Sequence, residues 1–87
     1  VRDHLPPALS ADARALILTR LEHGATTYGA PLRIGWGPAA IERLQELCDA
    51  VAYAVADPTC PAEDLAAIVS LANRATRAAI QARRAVL

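Results

Sequence analysis

The chain has 87 residues, contains no lysine and is poor in aromatic side chains, with only Tyr28, Tyr53 and Trp36. Its apolar fraction of 54% is inflated by 21 alanines, so little large side chain is available for burial and any core must be thin. No run of about eighteen apolar residues occurs, which excludes a membrane-spanning helix. A basic start followed by an apolar stretch and a small-residue cleavage site is also missing, and the expectation is a cytoplasmic protein. Two cysteines, Cys48 and Cys60, with no second pair support neither a zinc ribbon nor a disulfide scaffold. His4 and His23 form no metal-spaced pair and read as surface or helix-end residues. Nine arginines balance nine carboxylates, and the absent basic excess argues against general nucleic-acid binding.

What is present is helical patterning. Residues 1–10, with Pro6-Pro7 and charged neighbours, read as an extended arm. Ser10 is a good N-cap, Asp12 suits the first turn, and Ala13, Leu16, Ile17 and Leu21 recur at helical spacing, predicting a helix from Ala11 to His23 with Gly24 as its stop. Residues 24–37 hold all four glycines, Tyr28, Pro31 and Trp36, and read as a long loop of the kind that carries function or moves. Pro38 fits the first position of a second helix, in which Ile41, Leu44, Leu47, Cys48, Val51 and Val55 form an apolar stripe. Asp57-Pro58 ends it near Ala56. Pro61 opens a third helix, with Thr59 or Cys60 as cap and an inner face of Leu65, Ile68, Val69, Ala72, Ala75, Ala79 and Ala82, reaching Arg84 or beyond. No segment alternates like a strand. The expected class is all-α: a single small three-helix domain over residues 1–87, whose meagre core predicts assembly into a homo-oligomeric helical bundle.

Charge is segregated along the chain, at +1 over residues 1–41, −5 over 42–64 and +4 over 65–87. On helix two, Glu42, Glu46, Asp49 and Tyr53 share one face, suited either to solvent or to a divalent cation such as Mg²⁺. On helix three, Ser70, Arg74, Arg77, Gln81 and Arg84 form a basic strip, which either pairs with the carboxylates of helix two or binds an anion through the planar arginine fork.

Two stretches, Arg20–Leu32 with its Gly24, Tyr28 and Gly29, and Leu44–Tyr53 with its Glu46 and Asp49, resemble small phage-encoded proteins that carry a glycine-tyrosine-glycine loop before a helix. Those proteins are similar to the MazG-like all-α nucleoside triphosphate pyrophosphohydrolases. The resemblance implies that Glu46 and Asp49 match the family's Glu-x-x-Asp pair, which binds Mg²⁺ with a Glu-Glu-x-x-Glu set on the preceding helix. Helix one here offers only Asp12 and Glu22. The expectation is therefore a degenerate, non-catalytic relative that binds or sequesters a nucleotide-like phosphate ligand as an oligomer, in the manner of phage counter-defence proteins. Arg20, Arg33, Arg74 and Arg77 would meet phosphates, and Tyr28 or Trp36 would stack on a base. Both tyrosines could instead pack with their hydroxyls at the surface, and Trp36 could close the core. Two alternatives stand beside this reading. One is a Mg²⁺-dependent pyrophosphohydrolase using Glu42, Glu46 and Asp49, for which two helices should supply inward carboxylates. The other is a plain helical interaction module.

Overall fold

The computed structural model describes residues 1–86 and is all-α, with three helices, α1 (Ala11–Tyr28), α2 (Ala39–Ala56) and α3 (Ala62–Val86), preceded by a short 3-10 turn at Arg2–His4. The chain divides into two compact units, Val1–Gly37 and Pro38–Leu87.

In the first unit, the Ser10 hydroxyl accepts the N–H of Ala13 at 3.1 Å and caps α1 as its sequence position predicts. The helix does not stop at Gly24. It runs on to Tyr28 and ends at Gly29, whose φ of 76° supplies the left-handed cap. A helix interior tolerates one glycine at a cost of about 1 kcal/mol, and the Thr26 hydroxyl donates to the Glu22 carbonyl across this stretch. The connection is correspondingly shorter than the expected 24–37 loop. Within it the Trp36 N–H donates to the Arg33 carbonyl at 3.1 Å, closing a tight turn whose third residue, Gly35, has φ 84°.

Residues 1–10 are not simply extended. His4 N–H donates to the Val1 carbonyl at 2.9 Å and Leu9 N–H to the Pro6 carbonyl at 3.2 Å, and Val1, Leu5 and Leu9 are half-buried. The reason is apolar: Val1 lies with Leu18, Leu21, Pro31 and Leu32 around a shallow depression of about 190 Å³.

The second unit is an αα-hairpin. Five residues separate α2 from α3, a connection that makes packed neighbours antiparallel. Pro38 adopts helical φ and ψ at the start of α2, and Glu42 N–H donates to its carbonyl. Asp57 N–H closes the far end on the Tyr53 carbonyl. Thr59 and Cys60, expected to cap α3, turn back instead: Thr59 donates to Asp57, and Cys60 N–H donates to the Asp57 carbonyl at 3.1 Å.

Leu44, Leu47, Val51 and Ala54 of α2 are half-buried, with Ala50 beside them, and so are Leu65, Ile68, Ala72 and Ala75 of α3, the two sets of four each at steps of three, four and three residues. That rhythm is the seam of a two-stranded coil. Ala40, Ile41 and Leu44 of α2 and Ala75, Ala79 and Ala82 of α3 line one depression of about 350 Å³ at the open end. With Leu44 facing Ala75, counting three, four and three residues toward the turn pairs Leu47 with Ala72, Val51 with Ile68, and Ala54 with Leu65.

The expected core is absent: among the described residues none is buried. Two helices leave every seam residue open on both flanks, and the far half of the α3 seam is alanine, too small to cover its partner. The expected apolar stripe of α2 is divided for the same reason. Leu44, Leu47 and Val51 enter the seam, while Ile41, Cys48 and Val55 stay exposed.

Candidate functional site

The residues expected to hold a phosphate ligand fall into both units. Arg20 is exposed on α1, and Tyr28, 85% exposed, is its last residue. Arg33 and Trp36 are brought together by the turn that Gly35 makes possible. Trp36 is 43% exposed and closes no core, because the tight turn holds it at the surface. None of these four lines the depression in the first unit, whose wall is mostly aliphatic with Arg2 and Glu22 at its edge. Arg74 and Arg77 belong to the second unit, where both are exposed on α3.

Glu42, Glu46 and Asp49 are exposed along α2. Among the described residues no three His, Cys, Asp or Glu side chains are grouped to hold a metal ion. Helical spacing puts these carboxylates on one side of α2 but does not converge them. Pairing of the acidic strip with the arginines of α3 is not seen within the chain either. The side-chain hydrogen bonds among the described residues all join groups within four positions of each other, and none links an arginine to a carboxylate. Cys48 and Cys60 are free thiols.

The Thr59 hydroxyl and then the Thr59 N–H, both donating to Asp57, hold the Asp57 carboxyl below its ordinary value. This pins the turn of the hairpin.

The feature that sequence reasoning did not isolate is one flank of the α2–α3 hairpin. Beside the α2 seam, Ile41, Cys48 and Val55 recur every seventh residue, with Gln45 and Ala52 next to them. In an antiparallel pair the equivalent flank of α3 carries Val69 and Thr76, with Ala66, Asn73 and Ile80 beside them. Val55 is 69% exposed, Ile41 50% and Ile80 47%. Among described residues the one charge on this flank is Arg83, at the open end. The opposite flank differs, holding Arg43, Glu46, Asp64 and Arg74. The signal was the spacing of seven, hidden because the same residues also extend a helical stripe.

No protein family, curated protein or solved structure matches the chain.

Proposed function

We propose that the protein is a non-catalytic helical interaction module, with the uncharged flank of the α2–α3 hairpin as its binding face. One observation carries the reading: large aliphatics, Ile41, Val55, Val69 and Ile80, line up on a flank of a unit in which no described residue is buried. Aliphatic side chains aligned in this way on a surface mark a place where another surface is received. Association would supply the burial that the isolated hairpin lacks.

The test is site-specific photocrosslinking in cells that make the protein, with the photoreactive residue at Val55 on the flank or at Gln81 on the other side of the hairpin. Polypeptide adducts from position 55 and few from position 81 are expected. Equal yields, or none from position 55, would overturn the reading.

A second reading, sequestration of a nucleotide-like phosphate ligand, is favoured by one observation. Arg74 and Arg77 are exposed and donate no side-chain hydrogen bond to another described residue, leaving their guanidinium forks available to an anion. Calorimetric titration of the parent chain with mononucleotides, dinucleotides and cyclic nucleotides tests it directly.

A further inference from the structure

We infer that the partner received by this flank is a second copy of the same chain, related by a two-fold axis running along the helices, so that two hairpins make an antiparallel four-helix bundle. The inference rests on the interaction-module reading and specifies its occupant. Its argument is the charge along the edges of the flank. Next to the uncharged residues, the outer edge of α2 carries Glu42 and Asp49, and the outer edge of α3 carries Glu63 beside the turn and then Arg77 and Arg84 toward the open end. Toward its open end this surface therefore has an acidic border on one side and a basic border on the other.

A surface of this kind is complementary to itself, as a two-fold interface requires. The direction of the axis follows from the charges. An axis in the interface but perpendicular to the helices lays α2 on the partner's α2 and sets acidic border against acidic border. An axis parallel to the helices lays α2 on the partner's α3 and sets acid against base. It also leaves every adjacent helix antiparallel, the alternating arrangement of simple bundles. Rotation about such an axis preserves height along the bundle. Glu42, level with Arg77 in its own hairpin by the register of Leu44 with Ala75, is thus level with the same residue of the second copy. Within one chain both sit on the outer edges, away from the seam, and no hydrogen bond joins them. Across the two-fold they flank the new seam.

The apolar residues agree with this placement. Ile41, Cys48 and Val55 would meet Val69, Asn73, Thr76 and Ile80 of the second copy, so no charge is buried at the centre. By the same register Ile41 and Cys48 then face the stretch of α3 where the intramolecular seam has alanine, and Val55 lies level with Leu65.

The experiment uses the full chain. Sedimentation equilibrium should give twice the chain mass. Each charge reversal, Glu42→Arg or Arg77→Glu, enters the dimer twice and should weaken it about tenfold or more, with the double variant restoring most of the loss. A second measurement fixes the axis. In a Cys48→Ala, Cys60→Ala background, a mixture of Gln45→Cys and Asn73→Cys chains should oxidise to the mixed disulfide faster than either chain alone couples to itself. Faster coupling of Gln45→Cys to itself would refute the axis. A monomer at every concentration, with position 55 still crosslinking to a different polypeptide, would overturn the second copy and leave the interaction module standing. A monomer without adducts would overturn both.

Discussion

Asp57 accepts two hydrogen bonds from Thr59 through one carboxylate oxygen, from the N–H at 2.9 Å and from the hydroxyl at 2.7 Å. The pair closes the turn between α2 and α3. Because the hydroxyl and the amide both favour the ionised form, the folded carboxyl titrates below its unfolded value.

The linked stability is complete above the unfolded value of Asp57 and disappears as pH falls through the depressed folded value. Denaturant titrations should therefore show the parent losing stability relative to Asp57→Asn only in that acidic window. Thr59→Ala should move the Asp57 carboxyl midpoint upward in an NMR titration. An unchanged midpoint would mean that the hydroxyl bond is not made in solution.

Gly24 sits inside α1 with open space where a Cβ would project, whereas Gly29 ends the helix at φ 76°. Gly24→Ala should stabilise the first unit by about 0.5–1 kcal/mol, and Gly29→Ala should destabilise it by about 1 kcal/mol. Paired chemical denaturation curves check both signs. Destabilisation at Gly24 would place the end of the helix there after all.

Ser10→Ala removes the acceptor for the Ala13 N–H and should cost about 1 kcal/mol. Amide exchange should rise over the first turn of α1 and remain unchanged in α2 and α3, because the cap lies in the other compact unit. A uniform rise across all three helices would show that the two units unfold together.

Arg74 and Arg77 separate the two functional readings, since they lie on different sides of α3 with respect to the proposed bundle. Arg77→Gln should weaken self-association several-fold, and Arg74→Gln should leave it unchanged. If the chain binds a nucleotide, both substitutions should lower that affinity by about tenfold or more, as removal of a charge-assisted donor does. Saturable calorimetric heats that vanish in both variants, with an unchanged oligomeric state, would favour the ligand over the second copy.

Local signals made much of this fold legible in advance. Ser10 starts α1, Pro38 starts α2, and Asp57-Pro58 and Pro61 separate α2 from α3, each acting through its own backbone geometry or side-chain oxygen within a few residues. The glycines were less legible. Gly24 and Gly29 can both end a helix, and the end falls at Gly29, where the backbone adopts the left-handed conformation.

The candidate face could not be read the same way. Arg20, Tyr28, Arg33 and Trp36 were singled out by residue type, and none of them lines the aliphatic depression of the first unit. Sequence alone determined that Ile41, Leu44, Leu47, Cys48, Val51 and Val55 all lie on one broad side of a helix, because a period of 3.6 residues requires it. Which half of that side is covered was decided only when α3 folded back along Leu44, Leu47 and Val51, leaving Ile41, Cys48 and Val55 uncovered. That choice depends on where a second helix lies across the turn, a non-local relation that the repeat within α2 does not encode.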